Sequence, residues 1–338
     1  MDLTKTVIDD TLRDFLTDWR NADPFLQVHT SGSTGKPKNI LVEKSRMLAS
    51  AKMTCDYLNL KKGDTTLLCM SLSYIGGKMV VVRAIERDMR LLCVPPCSTP
   101  LDALQDICKG EFPHINMAAM VPMQVKKSLD NPRLREIDNL IIGGGSIDES
   151  LEQALKTFSN NVYSTYGMTE TLSHIALRKV SGDDATPWYT PLSGVTISEN
   201  EDNCLVIEAP HLCDKTLVTN DIVEITDGGR FRIIGRKDNV INSGGIKIHM
   251  EEVEKAIRER SGVDDGFMIS SCKDEILGEK VTLILSSHID HHARERVVSA
   301  ANEIEKYWRP KKTVEVDELP MTDNGKPDRA TAKKIASL

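Results

Sequence analysis

Residues 117–145 read MAAMVPMQVKKSLDNPRLREIDNLIIGGG, and their pattern decides the fold. The apolar run around 117–121 has the length of a buried strand, and residues 123–129 have room for a short helix. Leu140-Ile141-Ile142 form a second strand that stops at Gly143-Gly144-Gly145. Asp148 then stands at an N-cap position, ahead of a helix with Leu151, Leu155 and Phe158 on one face. The same alternation runs upstream: a strand at 66–70, a helix near 78–88, a strand at 90–94 closed by Pro95-Pro96, and a helix at 101–109. Strand, loop and helix in alternation predict an α/β fold with a largely parallel sheet.

Working outward, a helix around 11–19 and a turn at Asn21-Ala22-Asp23-Pro24 lead to a short strand at 25–28. That strand runs into Thr30-Ser31-Gly32-Ser33-Thr34-Gly35-Lys36-Pro37-Lys38, after which Ser45 is placed to cap a helix carrying Met47, Leu48, Ala51 and Leu58. From about Gly194 the pattern becomes short strands with turn signals, such as Asp227-Gly228-Gly229. Past Gly235 it changes again, to a helix near 251–260 ending at Ser261-Gly262, strands at 266–270 and 280–286, and a helix around 292–306. The boundary predicted between two domains falls at 235/236.

Composition narrows the function. The chain has 338 residues, 40% hydrophobic and 28% charged, the balance of a folded protein long enough to bury its own core. With 43 Lys and Arg against 50 Asp and Glu the formal charge is −7, which offers no cationic footprint for nucleic acid or for an anionic membrane. The eight cysteines include no CxxC pair and no zinc spacing, and several lie in apolar runs, so they read as buried reduced thiols. The first residues, MDLTKTVIDDTLRDF, carry no apolar signal segment, and no stretch approaches the ~20 apolar residues of a membrane span. The expectation is a cytoplasmic protein that uses neither a membrane nor a nucleic acid.

The loop at 30–38 is dense in donors. Its glycines let backbone N–H groups turn toward an anion, and its hydroxyls add to them. It is not a Walker A loop, because Gly32 and Gly35 are separated by two residues rather than four, and Pro37 follows the lysine.

This loop resembles the phosphate loop of the acyl-adenylate-forming enzymes, which include acyl-CoA synthetases, peptide-synthetase adenylation domains and luciferases. Other motifs of that family follow in order: Tyr166-Gly167-Met168-Thr169-Glu170-Thr171, then Thr219-Asn220-Asp221, then Gly235-Arg236-Lys237-Asp238 with Ser243-Gly244-Gly245, and finally Asn324-Gly325-Lys326. They span residues 30 to 326, nearly the whole chain. The resemblance implies an AMP-binding domain over 1–235 and a small mobile α+β domain over 236–338. It implies ATP and Mg2+ in a first step that joins a carboxylate to the α-phosphate, and coenzyme A as the thiol of a second. Thr30, Ser31, Gly32, Ser33, Thr34, Gly35 and Lys36 would hold the β- and γ-phosphates. Thr169 would bond the α-phosphate, Glu170 would hold the metal, and Gly143, Gly144, Gly145, Tyr166 and Gly167 would line the adenine slot. Asp221 would accept from the ribose hydroxyls with Arg236 nearby, and Lys326 would be the catalytic cation of the first step. The small domain would swing about Asp238 and bring Gly244 and Gly245 to the CoA thiol.

Residues 72–84, LSYIGGKMVVVRA, are similar to the acid-pocket segment of 2-succinylbenzoate–CoA ligases of menaquinone synthesis, with an aromatic residue, a glycine turn and an arginine nine residues on. The likeness extends to Met120-Val121-Pro122-Met123-Gln124-Val125 and Ser173-His174-Ile175-Ala176. It assigns Tyr74 and Arg83 to the substrate, with Arg83 suited to a second carboxylate; the alternative is an ion pair with Glu86 one turn away. The implied activity is ligation of 2-succinylbenzoate to CoA. The alternatives are another small aryl or acyl acid, or a nucleotide-binding paralogue without catalysis.

Three departures stand out. Only 29 residues precede the phosphate loop, which implies a shortened N-terminal domain and surface covered by rearranged helices or by a second subunit in a homodimer. Asn220 replaces the glycine of the family's TGD, and Tyr74 stands where histidine is common. The run His288-Ile289-Asp290-His291-His292 invites a metal, but no fourth ligand completes it, and a solvated helix start with Asp290 as N-cap is the reading adopted.

Overall fold

Strands Thr65–Leu68 and Met117–Met120 are buried at all four positions, as strands covered on both faces must be. They sit near the middle of a seven-stranded sheet in a computed structural model that describes residues 10–29, 39–108, 111–322 and 327–338. In sheet order the strands are Arg90–Cys93, Thr65–Leu68, Met117–Met120, Asn139–Ile142, Asn161–Gly167, His174–Lys179 and Thr190–Pro191. The first five run parallel, the sixth pairs antiparallel with the fifth, and the seventh pairs antiparallel with the sixth. Leu67, Leu92, Met120, Leu140, Ile142 and Val162 pack in one core with Leu101, Leu104, Leu151 and Leu155 from the helices and with Phe158, which follows the last of them.

Register determines where the loops emerge. Leu68 lies opposite Cys93, Met120 opposite Ile142, and Ile142 opposite Ser164, so the carboxyl ends of these strands share one edge. The chain passes from 65–68 to 90–93 on one side and returns to 117–120 on the other, so strand order reverses beside Thr65–Leu68. In open α/β sheets ligands bind outside the carboxyl ends at such a reversal. Buried Gln124 ties this edge together: its Nε2 donates to the carbonyls of Cys69 at 3.0 Å and Cys97 at 2.8 Å, and its Oε1 accepts from Val121 N–H at 3.1 Å.

The structure differs from the sequence reading at several places. Residues Asn39–Glu43 form a strand that pairs antiparallel with Phe25–His29, with His29 opposite Asn39. Ser45 lies inside helix Lys44–Tyr57, not at its cap, and its hydroxyl bonds the Glu43 carboxylate at 3.2 Å. Asp148 does cap helix Glu149–Lys156, accepting from Leu151 N–H at 2.8 Å. Among the described residues no helix is long and apolar enough to cross a membrane.

The chain divides into two compact units. The first comprises Met1–Ile197, Ile207–Leu217 and Thr226–Phe231, and the second Ser198–Val206, Val218–Ile225 and Arg232–Leu338. In the second, strands Val240–Ser243, Ile246–His249, Phe267–Asp274, Gly278–Ser286 and Lys312–Val316 form one sheet. Strand alternation gives it two apolar faces. Phe267, Ile269, Val281, Leu283 and Leu285 pack with helices Met250–Ser261 and His291–Glu303, while Met268, Cys272 and Ile284 pack with Ala332 and Ala336 of helix Arg329–Ser337.

The last helix is also held by charge. Arg329 donates through both terminal nitrogens to buried Glu254, at 2.6 and 2.9 Å, and to the Ile269 carbonyl at 2.8 Å. Ile269 N–H donates to the same carboxylate at 2.8 Å. Removing one member of a buried pair strands the other, at a cost of roughly 3–5 kcal/mol. Arg329→Ala should therefore lower the urea-unfolding stability of this unit by about that amount; a loss typical of a surface ion pair, ~0–1 kcal/mol, would contradict the fork's role.

Candidate active site

The carboxyl edge of the first unit carries most of the candidate residues that the structure describes. Gly143, Gly144 and Gly145 follow strand Asn139–Ile142, with Gly143 N–H donating to the Met120 carbonyl at 3.1 Å. Thr165 faces this loop closely enough that a Cβ on Gly143 would lie 2.6 Å from its hydroxyl. Tyr166, on the neighbouring strand, is 8% exposed. Its ring meets Phe231 and Tyr189 edge-on, with centroids at 5.2 and 6.0 Å. The aromatic character of Tyr166 is thus largely engaged in packing.

The next turn is shaped by a close approach. A Cβ on Gly167 would come within 2.3 Å of the Ser173 carbonyl oxygen and 2.5 Å of His174 Cα, so only glycine lets the chain fold back here. Between them Thr169–Thr171 form a short 3-10 turn, pinned by buried Thr171, whose hydroxyl accepts from Met168 N–H at 3.0 Å and lies 2.8 Å from the Ser173 carbonyl. Leu172 is held at φ 65°, a strained position of the kind that persists where surrounding structure dictates it. Glu170 is exposed on this turn and forms no ion pair among the described residues. A free carboxylate there would suit a hard divalent cation such as Mg2+, which takes oxygen ligands.

Arg83 is the most unusual side chain of the unit. It lies on helix Ile75–Glu86, is 2% exposed, and meets no carboxylate among the described residues. Glu86 pairs instead with Arg87, at 3.0 Å. Arg83 Nη2 donates to Ser173 Oγ at 2.7 Å, and its Nε has no hydrogen-bond partner among the described residues. Burial pushes the guanidinium down to about 10, still a cation at neutral pH. Tyr74, at the head of the same helix, is 46% exposed. His174 continues the polar cluster: its Nε2 lies 2.9 Å from Thr54 Oγ1 and its Nδ1 3.4 Å from Ser173 Oγ. Burial first, and the Arg83 cation second, hold this imidazole well below its ordinary pKa.

The second unit brings together the other candidates. Arg236 Nη1 donates to Asp221 at 2.9 Å and its Nη2 to Asp238 at 2.8 Å. Burial opposes the Arg236 charge, but the Asp238 and Asp221 carboxylates outweigh it and raise its pKa. Asn220 Nδ2 also donates to Asp238, at 2.9 Å, a bond the usual glycine could not make. Gly244 and Gly245, at φ 59° and 83°, form the two-residue turn between strands Val240–Ser243 and Ile246–His249, where paired positive φ values suit glycine.

Thr30, Ser31, Gly32, Ser33, Thr34, Gly35, Lys36 and Lys326 lie outside the described residues. The chain that flanks Lys326 is well tied: Met321 bridges Pro327, Asp328 N–H donates to the Pro320 carbonyl at 2.9 Å, and Arg329 is the buried fork to Glu254. His291, His292 and Glu295 bring ligand atoms within 4.8 Å of one another, all of them exposed, while Asp290 caps the helix by accepting from His292 and Ala293 N–H. Sequence reading missed Thr54, Gln124 and His174 as working side chains. The only signal was the likeness of the segments containing the last two to the ligases, and nothing pointed to Thr54.

A parallel sheet with a glycine loop, a Thr-Glu turn and a buried cation at its carboxyl edge, joined in sequence to a small α+β unit, defines an enzyme of the adenylate-forming fold. The chain belongs to the AMP-binding enzyme family, whose model matches residues 7–203. Its class is that of an AMP-forming acid–CoA ligase. It is 25% identical over 328 residues to a 2-succinylbenzoate–CoA ligase of Staphylococcus epidermidis, covering 90% of this chain and 68% of that one. It is 32% identical to an acyl-CoA synthetase (AMP-forming)/AMP-acid ligase II-like protein of Dyadobacter fermentans, covering 94% of this chain and 91% of that chain at a TM-score of 0.63. The fold is shared with o-succinylbenzoate CoA synthetase of Bacillus subtilis. That protein's complex with the acyl-adenylate OSB-AMP matches at 22% identity and TM-score 0.76, over 91% of this chain and 68% of that one. Its complex with ATP and magnesium matches at 21% and 0.73, over 90% and 68%.

The neutral, buried His174 has a consequence for stability. The unfolded chain binds a proton at an ordinary imidazole, ~6.5, which the folded chain refuses, so stability is full above about pH 6.5 and falls as pH drops below it. Thermal melts from about pH 7.5 to 5 should show the wild type losing Tm faster than His174→Gln, by up to ~1.4 kcal/mol per pH unit. Parallel curves would mean that His174 titrates alike in both states.

Proposed function

We propose that the chain joins 2-succinylbenzoate to CoA at the expense of ATP. In the first step a carboxylate oxygen of the acid attacks the α-phosphorus, the bond to pyrophosphate breaks, and an acyl-adenylate forms. In the second the CoA sulfur attacks the acyl carbon, its proton passes to solvent, and AMP leaves with the electron pair of the broken C–O bond. A carboxylate is a poor electrophile, so the first step exists to supply a leaving group.

Each candidate residue has a task in that scheme. The loop at 30–36 holds the terminal phosphates, and Thr169 donates to the α-phosphate. Glu170 holds Mg2+, which neutralises charge on the phosphoryl oxygens. Gly143, Gly144 and Gly145 offer backbone to the adenine, while Asp221, oriented by Arg236, accepts from the ribose hydroxyls. Lys326 supplies a compact positive charge to the α-phosphate and the acid's carboxylate. The two steps use two orientations of the small domain, 236–338, rotating about Asp238, so that Gly244 and Gly245 meet the thiol in the second. The Asn220–Asp238 hydrogen bond steadies that hinge in one orientation. All eight cysteines are free thiols, which fits the cytoplasm we propose as its location.

The acid is inferred from one observation above all, the buried Arg83 with no carboxylate beside it among the described residues. An unneutralised guanidinium at that depth is costly unless a ligand supplies the counter-charge, and the succinyl carboxylate of 2-succinylbenzoate is such a group.

Mass-resolved product formation with ATP, magnesium, CoA and a panel of 2-succinylbenzoate, benzoate, a medium-chain fatty acid and malonate tests the reading, with 2-succinylbenzoyl-CoA expected to dominate. Lys326→Ala should slow adenylation by ~10²–10³-fold yet leave CoA attack on pre-formed acyl-adenylate within about twofold; equal loss of both steps would remove Lys326 from the first. Arg83→Ala should raise KM for 2-succinylbenzoate by about thirtyfold while benzoate shifts by less than about threefold. Equal shifts for both acids would sink the acid assignment.

A further inference from the structure

Arg83 does not stand alone; it ends a chain of hydrogen bonds whose directions can be worked out. Thr54 Oγ1 donates to the Ser50 carbonyl at 3.3 Å within helix Lys44–Tyr57. Having given its single proton to that carbonyl, the hydroxyl meets His174 Nε2, 2.9 Å away, as an acceptor. Nε2 therefore carries the ring proton, and Nδ1 of the neutral ring is a bare acceptor. Ser173 Oγ lies 3.4 Å from Nδ1 and gives it the hydroxyl proton, while its lone pair accepts from Arg83 Nη2 at 2.7 Å.

The opposite tautomer fails on counting. With the proton on Nδ1, Ser173 Oγ would face two donors, Arg83 and His174, and its own proton would lack an acceptor among these groups. Thr54 would also have to surrender its bond to Ser50. An imidazolium is worse, since it places a second cation against Arg83 in a buried site. The other titratable group beside Arg83 is Cys55, whose thiol burial pushes up to about 11, so it contributes no negative charge at neutral pH.

We propose that His174, as the Nε2–H tautomer, is the positioning residue for Arg83. It turns the Ser173 hydroxyl so that a lone pair receives Nη2, which leaves Arg83 Nε, a donor without a partner among the described residues, for an acceptor on the acid. The proposal rests on the reading of Arg83 as the anchor of a second carboxylate. The backbone reinforces it: Ser173 and His174 press against Gly167, one residue before Met168 and the Thr169-Glu170 turn. The arginine's orientation is thereby tied to the strand end that carries the phosphate-facing residues.

Two measurements on the full chain test this. In ¹⁵N-histidine-labelled protein, the His174 signal, assigned by its loss in His174→Gln, should show protonated Nε2 and unprotonated Nδ1, unchanged from about pH 5.5 to 8. In kinetics, His174→Ala should raise KM for 2-succinylbenzoate by about tenfold, with KM for ATP and for benzoate within about twofold. His174→Gln, which keeps a donor and an acceptor, should recover most of that loss. An equal fall in kcat for both acids with no KM split overturns a positioning role, and so does a titrating imidazole or an Nδ1–H tautomer. A protein that shows the expected tautomer but activates no dicarboxylic acid overturns the Arg83 reading and this proposal together. One that activates 2-succinylbenzoate with the wrong tautomer overturns this proposal alone.

Discussion

In-register pairing of five parallel strands is the constraint on which the first unit depends. Because Met120, Ile142 and Ser164 share one row and Leu67 lies opposite Ala118 in the next strand, the segments that follow these strands emerge along one edge. Those segments contain Tyr74, Val121, the three glycines and the Thr169-Glu170 turn. Gln124 adds a lock at that edge, since one buried amide satisfies two carbonyls and one N–H from three chain segments. A one-residue slip of any strand would turn its side chains to the other face and remove its loop from the row.

Arg83 shows how a fold can hold a charge in waiting. A guanidinium at 2% exposure with one hydroxyl partner and an unpaired Nε is a standing cost. Its neighbours limit that cost with neutral groups, Ser173, His174 and Thr54, none of which cancels the charge. A carboxylate in the same place would pair with Arg83 and close the site to an anionic ligand. The Arg329–Glu254 fork is the opposite solution: there the cation is fully matched, and its task is to fasten a helix next to the Lys326 segment.

The segment proposed as the hinge is fastened by side-chain hydrogen bonds. Asp238 receives hydrogen bonds from both Arg236 and Asn220, so the residue proposed to rotate is held on two sides. Arg236 in turn links Asp238 to Asp221, the proposed ribose acceptor. The proposed ribose acceptor and the proposed hinge residue therefore share one guanidinium.

Alternating apolar runs and turn residues were sufficient to identify the parallel sheet and the Asp148 and Asp290 caps, because these depend on local spacing, while the five motifs were legible through their resemblance to those of a known family. The strands Asn39–Glu43 and Asn161–Gly167 escaped notice: the first is a five-residue stretch that becomes a strand only through its partner at 25–29, and the second alternates buried and half-buried positions without a clear apolar run. Ser45 failed as a cap because the helix begins a residue earlier, straight out of the hairpin. Residue types alone therefore determined the family, the chemistry it implies and the candidates to carry it. Tertiary structure alone decided that Arg83 is buried beside Ser173 rather than paired with Glu86, that Tyr166 packs into an aromatic cluster, and that Thr54 and His174, 120 residues apart, share a hydrogen bond. The reason is physical: spacing along a chain constrains which face a side chain occupies, but which groups are stripped of water together depends on how the elements pack.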